Sequence, residues 1–123
     1  MNILYVIIGA SIGATLRYLL STSLKSFFET PFPVGTFAVN MIGAFCAGFL
    51  FHLAETYQLS TTTRLLLFTG ILGGFTTFSA YTLETLSLFQ GNENSLVLLN
   101  IVLSNVAGLS LVFIGYVFAK ALF

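Results

Sequence analysis

Four long apolar runs, separated by three short polar stretches, set the pattern of the chain. The runs cover about residues 3–22, 33–54, 63–88 and 95–122, and polar residues gather between them at 23–32, 56–62 and 89–94. Each run supplies the roughly 20 residues that a helix needs to cross the hydrocarbon core of a bilayer. Pro31 and Pro33 interrupt the first connector, and Pro33 suits the first turn of the second helix, where its missing N–H costs nothing. The pattern predicts an all-α membrane protein with one four-helix transmembrane domain, residues 1–123. It leaves no room for a soluble domain or a long linker, and no convincing internal repeat stands out.

Composition agrees with the pattern. The chain is 57% hydrophobic and 7% charged, with a mean hydropathy of +1.00. A soluble domain carries roughly 25% charged residues, so this chain cannot cover a water-facing surface. The expected location is the cell membrane (plasma or inner), crossed several times, with the lipid bilayer as surroundings. Net charge is zero, which implies no polyanionic partner and so no nucleic acid. Cys46 is the single cysteine; it cannot form an intrachain disulfide and reads as a small buried hydrophobe. The Met1-Asn2-Ile3-Leu4 start lacks the basic residues of a secretory signal peptide and reads as the beginning of the first span. His52 and Glu55, near a span end, read as interfacial, and one histidine cannot build a histidine cluster for a metal. No enzymatic activity is expected.

Four spans put both termini on one side. Arg64 and Lys120 then fall on that side, with Lys25 on the other and Arg17 near it. Two cations against two give no orientation bias, unless four charges are simply too few to read. A chain without bias inserts both ways, and opposite orientations permit an antiparallel dimer. Size points the same way, because four helices enclose little more than their own side chains and a conducting path needs two subunits. Gly9 and Gly13, Gly70 and Gly74, and Ala44 with Gly48 have the small-xxx-small spacing that lets backbones approach closely. That spacing indicates a packed bundle and says nothing of cargo.

The polar residues inside the spans say more, since an unpaired polar group in hydrocarbon costs several kcal/mol. Arg17 and Asn40 flank the same connector at similar depth. Asn100, Ser104 and Gly108 recur at i, i+4 and i+8 on one face of the fourth span, and Phe78, Tyr81, Thr82 and Thr85 share a face of the third. These residues either bond the helices to one another or line a polar and aromatic track. As a track, they offer amide and hydroxyl donors, one guanidinium, and ring edges that carry partial positive charge. Glu84 is the only acid well inside a span. Such a lining suits a small anion and not a proton-coupled cation exporter, which wants a carboxylate at membrane depth.

One stretch of the third span is a poor helix. Gly73 and Gly74 cost about 1 kcal/mol each against alanine, and Thr76 and Thr77 are β-branched. The run Gly73-Gly74-Phe75-Thr76-Thr77-Phe78-Ser79, with Gly13-Ala14-Thr15-Leu16-Arg17-Tyr18 and Gly35-Thr36-Phe37-Ala38-Val39-Asn40 before it, closely resembles the Fluc/CrcB family of fluoride channels over the whole chain. The resemblance implies a third helix broken at its centre and an antiparallel dual-topology homodimer with two pores. It also implies export of fluoride that lowers its cytoplasmic level and gives fluoride resistance. A structural sodium ion, Na+, at the dimer centre would be held by the backbone carbonyls of Gly73 and Thr76 from each subunit. Inward-pointing carbonyls at a helix end do suit a hard cation, and non-helical backbone at membrane depth needs a partner.

The resemblance makes Asn40 the pore asparagine, Phe78 the first pore phenylalanine, and Asn100 and Ser104 polar pore positions; Arg17 falls in the vestibule, and Thr82 and Thr85 join the pore lining by the face they share with Phe78 and Tyr81. Two positions depart from the family pattern. Tyr81 stands where a second phenylalanine is usual, which keeps a ring edge and adds a hydroxyl, and Gly108 stands where some members have serine. Two other classes share features with the chain. A small dual-topology multidrug-type exporter has four spans and antiparallel dimers, but the first span here lacks an acid. A non-transporting membrane assembly subunit explains the packing but not the track. The residues by themselves do not separate a channel from a coupled exchanger.

Overall fold

A computed structural model describes residues Met1–Phe123. It is all-helical. Helix α1 spans Asn2–Phe27 and α2 spans Val34–Thr56. The third span is assembled from pieces: α3 (Thr61–Arg64), a π-helical segment (Leu65–Leu72), α4 (Gly73–Phe75) and, beyond a break, α5 (Phe78–Gln90). Helix α6, Asn94–Leu122, completes the chain. Each of the four spans is long and apolar enough to cross a membrane.

Helix α1 runs five residues past the expected end near residue 22. The reason is local. The hydroxyls of Ser21, Thr22, Ser23 and Ser26 donate to carbonyls three or four residues back, so these polar side chains stay satisfied within the helix. Extended backbone at Phe28 then ends it. Pro33 stands just before α2 as its N-cap. At the other end of α2, Gln58 adopts a left-handed φ of 47°, and Arg64 closes the connection by donating from Nη2 to Ala54 O (2.8 Å) and from Nε to Leu59 O (3.1 Å). Arg64 thus adds a second donor to Ala54 O, which also accepts from the Leu59 N–H at 3.1 Å, and supplies a donor to Leu59 O.

Two interfaces organise the bundle: α2 against α6, and α1 against the π-helical segment and α4. Both use glycine where backbones touch. A Cβ on Gly9 would lie 2.6 Å from Leu66 O and 2.8 Å from Gly70 Cα, so the first and third spans cross with no side chain between them. In the α2–α6 contact a Cβ on Gly48 would collide with the Val112 carbonyl. The π-helical turns beside the first crossing keep their hydrogen bonds internal; the Gly73 N–H donates to Phe68 O, five residues back, which leaves no amide to lipid. Only 13 of 123 residues are buried, so one copy of the chain has little interior, and most of its apolar surface needs lipid or protein as cover.

Candidate functional site

Between α4 and α5 the third span comes apart. Thr76 (φ −82°, ψ 154°) and Thr77 (φ −146°, ψ 123°) are extended. Their backbone groups must be satisfied from elsewhere, and Asn40 on α2 does most of this. The Thr77 N–H donates to Asn40 Oδ1 at 2.9 Å, and Asn40 Nδ2 donates back to Thr77 O at 3.0 Å. The side-chain amide pairs with the broken backbone as a neighbouring strand would. Thr77 Oγ1 caps α5 by accepting from the Ala80 N–H at 3.2 Å. The N–H and Oγ1 of Thr76 both donate to Leu72 O at 3.0 Å. Arg17 Nε donates to Gly74 O at 3.1 Å.

This arrangement leaves carbonyls without their helical donors, those of Gly73 and Thr76 among them. In a continuous helix the Gly73 and Thr76 carbonyls would accept from the N–H groups of Thr77 and Ala80. Those amides are turned instead to Asn40 Oδ1 and Thr77 Oγ1. Gly73 and Thr76 therefore offer neutral oxygens at a helix end, the ligand type a hard cation takes. No group of three or more His, Cys, Asp or Glu side chains comes together.

Beyond the break the track residues are paired with one another. Thr85 Oγ1 donates to Tyr81 O (2.7 Å) and accepts from Asn100 Nδ2 (2.9 Å), and Ser104 Oγ donates to Asn100 Oδ1 (3.1 Å). Asn100 is 1% exposed, and this network is what permits its burial. Thr82 stands outside the network; its hydroxyl donates to Ser79 O on its own helix at 2.9 Å. The rings of Phe78 and Tyr81 lie 5.6 Å apart at 49°, and Phe78 is 77% exposed on the single chain. An open cavity of about 360 Å³ brings Asn40, Thr76, Thr77, Phe78, Ser104 and Gly108 to one place.

A larger cavity of about 730 Å³ opens between the end of α1, the 28–33 connector and α5; its lining includes Tyr18, Lys25, Thr36 and Glu84. Thr36 Oγ1 donates to Glu84 Oε1 at 2.8 Å, while Glu84 Oε2 is buried without a partner. Arg17 does not line this cavity; its Nε is engaged at the break. Thr36, Thr77 and Asn105 were not among the expected site residues. Thr36 carried a signal, being one turn before Asn40 on the same face of α2. Thr77 belongs to the weak-helix cluster itself. Asn105, whose Nδ2 reaches the Tyr81 hydroxyl at 3.4 Å, lies off the face shared by Asn100, Ser104 and Gly108, and no pattern marked it.

Comparison with known proteins gives a consistent result. A family model described as "CrcB-like protein, Camphor Resistance (CrcB)" matches residues 4–116. A protein of Parabacteroides distasonis is 42% identical over 120 residues, covering 98% of this chain and 94% of the relative. One from Aquifex aeolicus is 42% identical over 118 residues, 95% of each chain, and one from a Roseiflexus species is 44% identical over 123 residues, 99% of each. All three are named fluoride-specific ion channel FluC, and none is named as an enzyme. The matched region contains the break in the third span together with Arg17 and Asn40, which bind it, and on that near-complete coverage the chain belongs to the CrcB family.

Proposed function

We propose that this protein is a fluoride-selective channel of the cell membrane that exports fluoride and so protects the cell that carries it. The observation that carries the proposal is identity of 42–44%, over nearly the full length, to three relatives named as fluoride-specific ion channels. The site's chemistry supports it. Fluoride is small and strongly hydrated, and a dry path must replace its lost water hydrogen bonds with donors. The track supplies uncharged donors: the hydroxyls of Thr82, Thr85 and Ser104, and the N–H groups of Asn40 and Asn100 that the protein does not use. The hydroxyl protons are engaged internally, but a hydroxyl rotates, and each can leave its protein acceptor for a passing anion. Phe78 and Tyr81 present ring edges where no donor fits. Arg17 contributes fixed positive charge next to the break.

The functional unit in this proposal is an antiparallel dual-topology homodimer with two pores. The balanced charges, the small interior of one chain and the exposed Phe78 ring favour a second copy as cover. A structural sodium ion fits the same unit. The Gly73 and Thr76 carbonyls of both subunits would hold it, and its charge would offset the oxygens whose amide partners are diverted. The multidrug-type reading is less well supported, because Glu84, the one acid well inside a span, is hydrogen-bonded to Thr36 and lies towards that span's end. Fluoride efflux from liposomes containing only this protein tests the proposal. Rapid loss of fluoride with retention of chloride is expected; equal release of both ions, or of neither, overturns it.

A further inference from the structure

Tyr81 carries a hydroxyl that a phenylalanine at the same place would lack, and its surroundings give that group a definite state. Asn105 Nδ2 lies 2.7 Å from Ile101 O and 3.4 Å from the Tyr81 hydroxyl oxygen. The short contact with a carbonyl, which only accepts, identifies this amide atom as the nitrogen. The Tyr81 oxygen therefore accepts from Asn105 and keeps its own proton. The other hydroxyls of the track have theirs engaged: Thr82 with Ser79 O, Thr85 with Tyr81 O and Ser104 with Asn100 Oδ1. Among these four hydroxyls, Tyr81 holds the one proton with no protein acceptor. The phenol stands part-way along an apolar span, where an unused donor is costly unless something polar comes to it.

We infer that the Tyr81 hydroxyl, oriented by Asn105, is an additional fluoride-binding donor of this chain, and that Asn105 is its positioning residue. The inference rests on the fluoride channel proposed above and adds to it a site that the ring edges alone do not provide. Accepting from Asn105 turns a lone pair of the phenol oxygen towards α6, so that the O–H and not the lone pair meets the anion. The contact is long for N–H···O, so Asn105 guides the hydroxyl and does not bind the anion itself.

The test is the fluoride dependence of current through the purified full-length protein in planar bilayers, for the native protein, Tyr81→Phe, Asn105→Leu and the double variant. Tyr81→Phe keeps the ring against Phe78, and leucine is at home on an exposed face of a membrane helix, so each variant is expected to assemble; elution on size exclusion checks this. Loss of a hydrogen bond to an anion is expected to raise the half-saturating fluoride concentration about tenfold in Tyr81→Phe. Loss of its guide raises it about two- to fivefold in Asn105→Leu. In the Tyr81→Phe background, Asn105→Leu adds nothing. Half-saturation unchanged in Tyr81→Phe overturns the inference, as does an Asn105→Leu effect of equal size in both backgrounds. No fluoride current in the native protein overturns instead the channel reading beneath it.

Discussion

Asn40 is the residue whose loss has the most direct structural consequence. Its amide donates to and accepts from the backbone of Thr77, at 3.0 and 2.9 Å, and Thr77 has no helical partner for either group. Asn40→Leu keeps similar bulk, so little cavity forms, but it strands one N–H and one C=O at membrane depth. Each stranded group costs about 1–3 kcal/mol, giving about 2–6 kcal/mol together. That is a large share of the roughly 5–15 kcal/mol by which folded chains are stable. At on the order of 4 °C per kcal/mol for a chain of this size, the melting temperature in detergent falls by roughly 8–24 °C. Thr82→Val is the comparison variant: its hydroxyl bonds only Ser79 O, and its removal strands nothing, so melting shifts by less than about 3 °C. An Asn40→Leu protein that melts within that same margin would refute the view that this amide holds the break together.

Three further outcomes are expected. Phe78→Ile and Tyr81→Ile keep bulk and remove the ring, so fluoride efflux falls steeply while the protein elutes on size exclusion as the native one does; Tyr81→Phe, at high fluoride, retains most of the flux, and loss of flux in Tyr81→Phe but not in Tyr81→Ile would show that the ring edge is not the essential group. Replacing sodium by a bulky organic cation lowers the melting temperature, since an ion at 100 times its dissociation constant stabilises by about 2.7 kcal/mol; one residue inserted within 73–77 abolishes that sodium effect while Thr76→Ser preserves it, and identical melting in both salts would contradict a carbonyl-bound ion. Tags placed at one terminus are equally accessible from both faces of a membrane preparation, and labelling from one face only would exclude dual topology.

The four spans were readable because hydropathy and length suffice to mark a membrane helix, and the break was readable because glycines and β-branched residues weaken a helix visibly in one dimension. What holds the break was not. Asn40 and Thr77 are 37 positions apart, and no local rule pairs them; Asn40 was identified as a donor facing an anion, whereas two of its polar atoms serve the backbone. Arg17 shows the same limit, since a cation at a given depth does not disclose that Gly74 O is its acceptor. Arg64 was legible only as a topology charge, although it closes the end of α2. The π-helical turns at Leu65–Leu72 carried no sign in an unbroken apolar run, because the glycine crossing beside them involves Gly9 on a different span. The i, i+4 spacing of Asn100 and Ser104 did anticipate their direct bond, as helical periodicity allows.

Fluoride conduction by this protein alone is tested most directly by current recorded across a planar bilayer holding the purified chain between unequal fluoride solutions of equal chloride. A selective fluoride pore reverses at the fluoride equilibrium potential, near 59 mV in magnitude for a tenfold gradient, and the reversal does not move when chloride is exchanged for a larger anion. Reversal at zero under the fluoride gradient, or a shift when chloride alone is changed, would contradict a fluoride-selective channel.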